Sequence, residues 1–137
     1  MESVFEKIVK REIPASIIYE DDTVLSFLDI SPANKGHALV IPKEPSENLF
    51  TIDPDVLAHI AKIAQRIAKV LKAETGAEGV NILMNGGSAA GQEVMHAHMH
   101  VIPRFEGDGA FTQPRQGEYK EGECETLGKK LKEALSS

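Results

Sequence analysis

Between Val94 and Ile102 the chain reads Val-Met-His-Ala-His-Met-His-Val-Ile. Side chains alternate faces along a strand, so His96, His98 and His100 project together while Ala97, Met99 and Val101 point the other way. The second set suits a helix-packed core. The first is a row of three imidazoles, which no core needs. This stretch is expected to be the fifth of five strands, closed by Pro103. It must lie in a sheet with one face buried by a helix and the other left for chemistry.

The rest of the sequence supplies that helix and sheet. Asp53 can cap a helix with Pro54 at its first position, and Gly76 ends it. Val56, Ile60, Ile63, Ile67, Val70 and Leu71 form one apolar stripe at helical spacing over 53–75. Ser3 and Glu6 have capping-box form and open a short helix that ends near Pro14. Runs at 16–19 and 23–30, separated by Glu20-Asp21-Asp22, read as a hairpin. Residues 37–41 and 80–84 read as further strands, Ser31–Gly36 and 85–92 as loops, and 105–121 as irregular. A last helix is expected near 123–135, with Cys124, Leu127, Leu131 and Ala134 on one side. Sequential strands with one long helix among them indicate an α+β fold, an antiparallel sheet, and one domain over 1–137.

Composition removes several classes of function. The 137 residues are 42% hydrophobic and 26% charged, ordinary for a globular chain. Fifteen Lys and Arg stand against 21 Asp and Glu, a net charge of −6 that argues against a nucleic-acid partner. No apolar run approaches a membrane span, and no leader is visible, so a cytoplasmic placement is expected. The one cysteine, Cys124, excludes an internal disulfide and a cysteine-cluster metal site.

Two chemistries compete for the histidine row. The outer pair lies about 13 Å apart at the backbone, from a ~3.3 Å rise per residue. Zinc bonds to nitrogen are about 2.0–2.1 Å, so three ligands from one straight strand require awkward leaning. Nucleophilic chemistry fits better: one ring nitrogen attacks while the other holds its proton against an acceptor. A neighbouring imidazole can clamp a phosphate oxygen or protonate a leaving group. The glycine-rich loop Asn85–Gln92 feeds directly into the row, and its backbone N–H groups can approach an anion. Alone, such a loop reads first as a plain turn.

His96-Ala-His98-Met-His100-Val-Ile102 resembles the signature of the histidine triad (HIT) family of nucleotide hydrolases and transferases, in particular its Hint-like nucleotide-binding branch. Phe5–Pro14, Tyr19–Asp22, Phe27–Pro32, Gly36–Lys43 and Asn85–Gln92 follow the family's order and spacing. The resemblance covers about residues 3–104, and the tail from 105 to 137 matches loosely. It implies a five-stranded antiparallel sheet, usually paired as a homodimer. It implies that His98 takes up a nucleoside monophosphate covalently and that water then releases it. His100 would contact the α-phosphate, and His96 and His37 would complete the proton-handling arrangement. Asp29 would accept hydrogen bonds from the ribose. Phe5, Ile8, Phe27, Ile30 and Leu39 match positions around base and ribose, and Asn85, Gly91 and Gln92 match the phosphate side. Read without the resemblance, Phe5, Ile8, Phe27 and Leu39 read first as core, and Asp29 can cap the loop before Pro32. His59 has no family role, and Lys43 and Arg104 read as solvated charges.

Two departures from the family pattern matter. Some relatives hold a structural zinc on two cysteines near the start, a histidine after the Pro-Lys, and the first triad histidine. Those first three positions are Ser3, Glu6 and Pro45 here, so no metal and no cofactor are expected. Glu93 replaces a Ser or Thr that touches phosphate, and a carboxylate there opposes an anion. The expected activity is hydrolysis of a purine nucleoside phosphoramidate or acyl-adenylate, because few cations stand near the loop to hold further phosphates. The rival readings are a dinucleoside polyphosphate hydrolase and a nucleotide-binding module with negligible turnover.

Overall fold

The computed structural model describes residues 2–111 and 114–137; positions 112 and 113, within the irregular tail expected at 105–121, lie outside the described residues. The elements in chain order are α1 (Val4–Val9), β1 (Ile17–Glu20), β2 (Val24–Leu28), β3 (Ala38–Pro42), α2 (Pro54–Thr75), β4 (Gly79–Leu83), β5 (Met99–Arg104) and α3 (Glu123–Leu135). The five strands form one sheet in the order β1-β2-β3-β5-β4, each neighbouring pair antiparallel. Among the described residues no helix is long and apolar enough to cross a membrane.

Local chemistry explains where the elements begin and end. The β1–β2 hairpin turns on Asp21, whose Oδ1 accepts from the N–H groups of Thr23 and Val24, both at 2.8 Å. Its Oδ2 lies 2.6 Å from His59 Nε2, so His59 ties α2 to this turn. Asp53 caps α2 through the N–H of Asp55 at 2.7 Å, and the helix stops at Gly76. Gly36 has φ +101°, and a Cβ there would sit 3.1 Å from Leu71 Cδ2; glycine alone lets the turn before His37 lie against α2.

The fifth strand differs from expectation at both ends. It starts at Met99 rather than Val94, and it runs past Pro103 to Arg104. Proline explains both. The Pro42 carbonyl faces the histidine segment, where it meets His96, so the missing Pro42 N–H falls on that side and the ladder to β3 stops at Met99. Pro103 presents its carbonyl to Asn34, on the β3 side but beyond the β3 pairing, so its missing N–H costs no ladder bond.

Each face of the sheet buries its own cluster. On one, Val24, Ala38, Val40, Ala97 and Val101 pack under Ile60, Ile63, Ala64, Ile67 and Leu71 of α2. Each large side chain buried here is worth about 1.5–3 kcal/mol relative to exposure. On the other, Leu25, Phe27, Leu39 and Ile41 meet Phe5 and Ile8 of α1. Helix α3 buries no residue: Leu127 and Leu131 are exposed.

Candidate active site

The α1 face of the sheet carries all three histidines of the row. Ala97, Met99 and Val101 lie on the α2 side, as the alternation requires. His96 is fully buried, His98 nearly so, and His100 half-buried. Their hydrogen bonds fix which nitrogen holds each proton.

His98 Nδ1 lies 2.7 Å from the carbonyl oxygen of His96. A carbonyl only accepts, so Nδ1 carries the proton, and the Nε2 lone pair of the neutral ring is available for attack. Beside it stands His100, with ring centroids 4.9 Å apart. Behind His100 is His37. The Ala33 N–H donates to His37 Nδ1 at 3.0 Å, so His37 holds its proton on Nε2 and donates to His100 Nδ1 at 2.9 Å. His100 is left with its proton on Nε2, the atom remote from His37.

Asp29 closes the line. Its Oδ1 accepts from the Ser31 N–H at 2.8 Å, and its Oδ2 lies 3.8 Å from His37 Nε2. Asp29 is therefore a loop cap through one oxygen and has the other turned toward the site. Asp29, His37 and His100 offer ligand atoms within 4.8 Å of one another, the spacing of a metal cluster. Coordination through His37 Nε2 would move its proton to Nδ1, against the Ala33 N–H. The tautomer fits a proton line and not a metal ligand.

His96 is held at both nitrogens. Nε2 donates to the Pro42 carbonyl and Nδ1 accepts from the Ser3 hydroxyl, both at 2.9 Å. Ser3 and Glu6 form the expected capping box, with the Glu6 N–H donating to Ser3 Oγ at 3.1 Å. The zinc positions of some relatives are thus filled by a helix cap and by Pro45, whose side chain has no donor atom. With its remaining ligand, His96, already bonded twice, this donor set does not fit a tetrahedral zinc.

Burial keeps all four imidazoles neutral. Desolvation lowers the pKa of His96, His98 and His37 below the usual imidazole value, with Asp29 pulling the last two partly back. His100 is pushed down to about 4, first by burial and then by the neighbouring His98 and His37. A neutral His98 is the nucleophilic form.

The remaining candidates gather around this centre unevenly. Phe5 stands edge-on to His98 at 4.9 Å and to His96 at 5.7 Å, and packs on Phe27 at 5.6 Å. Phe5, Ile8, Phe27 and Leu39 all belong to the buried α1 cluster, so each serves the core whatever else it does. Ile30 is 94% exposed, at the rim. Asn85 Nδ2 reaches the Gly91 carbonyl at 3.5 Å, and Gly91 takes φ +97°, where a Cβ would sit 3.5 Å from that same amide. Gln92 is buried with its amide committed to backbone: Oε1 accepts from Gly87, and Nε2 donates to the Glu47 and Val94 carbonyls. It braces the loop. The N–H groups of Gly87, Ala90, Gly91 and Gln92 are all spent inside the loop, so the expected anion cradle is narrower than its glycines suggest. Arg104 is not merely solvated; it clasps Asp108 and Asn81.

Sequence reasoning assigned Ser3 only to the helix and missed its bond to His96. No spacing rule links positions 93 residues apart. Ala33, Pro42 and Ser46 were likewise invisible, because they act through backbone atoms.

Comparison with known proteins agrees with this geometry. The model of the HIT domain matches residues 10–107. An uncharacterised HIT-like protein from Methanocaldococcus jannaschii is 45% identical over 129 residues, covering 94% of this chain and 98% of that protein. An adenosine 5′-monophosphoramidase from Saccharomyces cerevisiae is 41% identical, over 97% of this chain and 80% of that one. The crystal structure of a HIT family member from Bacillus subtilis superposes with a TM-score of 0.91 at 35% identity, covering 100% of this chain and 99% of that one. The chain belongs to the histidine triad family.

Proposed function

We propose that the protein binds purine nucleotides and hydrolyses the bond between the α-phosphate and its substituent, through a covalent nucleotidyl-histidine at His98. The observation that carries this reading is the 2.7 Å bond from His98 Nδ1 to the His96 carbonyl, which leaves Nε2 unprotonated beside His100. The name of the yeast relative supports a phosphoramidate as substrate.

In the first step His98 Nε2 bonds to phosphorus as the bond to the leaving group breaks. An amine leaving group takes the Nε2 proton of His100, which His37 replaces at Nδ1, and the negative charge left on that pair is balanced by the positive charge that His98 acquires on phosphorylation. In the second step water attacks phosphorus as its bond to His98 Nε2 breaks, the water's proton returns to the His37–His100 pair, and nucleoside monophosphate leaves with neutral His98 restored. Asp29 Oδ2 is the acceptor for the ribose, Phe5, Ile8, Phe27, Ile30 and Leu39 border base and ribose, and Asn85 and Gly91 shape the phosphate side. Gln92 acts by bracing the loop. No metal takes part.

A phosphoramidate or acyl-adenylate is favoured over a polyphosphate because three cations in or beside the sheet are already paired. Lys43 and Arg11 hold Glu20, and Arg104 holds Asp108. The family resemblance supports a homodimer as the working form. The test is AMP release from adenosine 5′-phosphoramidate in chelating buffer, beside His98→Ala. Turnover that survives chelation and falls by about 10³-fold or more in the variant supports the reading. A folded wild type without turnover overturns it.

A further inference from the structure

The segment that orients the nucleophile is not held by the sheet. Ladder pairing between β3 and β5 covers Val40↔Met99 through Ala38↔Val101 and goes no further toward His96. Yet the carbonyl that fixes the His98 tautomer belongs to His96, three residues outside that pairing. Something other than strand pairing must place it within hydrogen-bond reach of His98 Nδ1.

Three hydrogen bonds do so. The Ala97 N–H donates to the Ser46 carbonyl at 2.7 Å. The His96 ring is pinned between the Pro42 carbonyl at Nε2 and the Ser3 hydroxyl at Nδ1. Pro42 pulls the ring toward the end of β3, and Ser3 pulls it toward α1. Because His96 is fully buried, no solvent replaces a lost partner at either nitrogen. Ser3 Oγ also accepts from the Glu6 N–H, so one hydroxyl donates to the histidine and accepts from the helix at once. The same short helix sets Phe5 edge-on against both His96 and His98.

We infer that Ser3 is a positioning residue for the reaction: by donating to His96 Nδ1 it holds that ring neutral and fixed, and so aims the His96 carbonyl at His98. It touches neither substrate nor phosphorus. The inference rests on the proposed role of His98 as nucleophile. It goes beyond that role by making the N-cap of α1 part of the catalytic alignment.

Helix capping and hydrogen-bond donation can be separated at this position. Ser, Thr and Asp all cap helices, but only Ser and Thr can donate to His96; an ionised Asp can only accept. Ser3→Thr keeps both functions, Ser3→Asp keeps the cap and reverses the bond to His96, and Ser3→Ala loses both. Steady-state hydrolysis of adenosine 5′-phosphoramidate is measured for each, with ¹⁵N resonances of histidine-labelled protein and thermal melting. Ser3→Thr is expected to restore kcat to within about twofold, while Ser3→Asp and Ser3→Ala lower kcat about tenfold with KM unchanged. In wild type and Ser3→Thr, His96 should show one protonated and one unprotonated nitrogen at neutral pH. In Ser3→Asp both should be protonated.

If Ser3→Asp turns over like Ser3→Thr, or leaves His96 neutral, Ser3 is a helix cap only and the inference is overturned. If wild type itself has no turnover, the nucleophile reading fails, and the His96 resonances still decide whether Ser3 sets that ring's state.

Discussion

The two faces of the sheet are built in opposite ways. Under α2 the buried cluster is apolar, and a 22-residue helix lays four large aliphatic side chains onto three strands and the segment before β5, with the His59–Asp21 bond at its margin. Under α1 a six-residue helix adds two apolar residues to Leu25, Phe27, Leu39 and Ile41, and beside that cluster stand imidazoles whose nitrogens are bonded to one another or to neighbouring backbone and Ser3. Any residue of the right size and greasiness maintains the first face. The second depends on the direction of individual protons, because a buried donor facing a donor is worse than a hole. Both faces bury an apolar cluster, and the chemistry is on one of them.

That contrast can be broken by substitution. His98→Ala should reduce hydrolysis by about 10³-fold or more with a small change in melting temperature, checked by kinetics and calorimetry on the same preparations. Ile60→Ala, at a fully buried position of α2, should cost about 2–5 kcal/mol in denaturant unfolding while kcat of the folded fraction stays put. A catalytic defect in the folded Ile60→Ala protein would show that the faces are coupled.

Acid should act mainly on the α1 face. An imidazole whose folded pKa is depressed binds its proton more readily in the unfolded chain, so the unfolded state gains protons first as pH falls. Above the ordinary imidazole value of 6.5 both states are neutral and nothing changes. Between there and about 4, where folded His100 titrates, stability is progressively lost. His37, His96 and His98 shift in the same direction and add to the effect. Denaturant midpoints measured from pH 7 to 4 should therefore fall for wild type and fall less for His100→Gln. Equal slopes would place the acid sensitivity elsewhere.

The smallest effect is expected outside both faces. Leu131→Ala in α3 removes an exposed side chain and should change unfolding free energy by less than about 0.5 kcal/mol for the isolated chain. A larger loss would show that α3 is covered in solution.

How far the sequence could be read follows the same division. The α2 face was legible because its signals are periodic: Ile60, Ile63, Ile67 and Leu71 of the stripe are buried, and the Asp53 cap and the Gly76 stop fall where the spacing puts them; Val70, expected in the stripe, is exposed because it lies at the stripe's outer edge. The histidine row was legible for the same reason, since alternation alone places His96, His98 and His100 opposite Ala97, Met99 and Val101. Less legible was how those rings are tied. Pro42 ends the ladder early and frees a carbonyl for His96, an outcome of which strands adjoin rather than of local pattern. Ser3 and Ala33 reach histidines through tertiary contacts. Gln92 sits in a motif that reads as phosphate-binding and spends its amide on Gly87, Glu47 and Val94. A motif specifies residue types, and folding decides where their hydrogen bonds go.

The most direct test of His98 as a covalent nucleophile is the stereochemistry at phosphorus. A P-chiral adenosine 5′-phosphoramidothioate would be hydrolysed in ¹⁸O-labelled water and the configuration of the product determined. Attack by His98 Nε2 followed by attack of water comprises two in-line displacements, so net retention is expected. Net inversion would mean a single displacement by water and would contradict a nucleotidyl-histidine at His98.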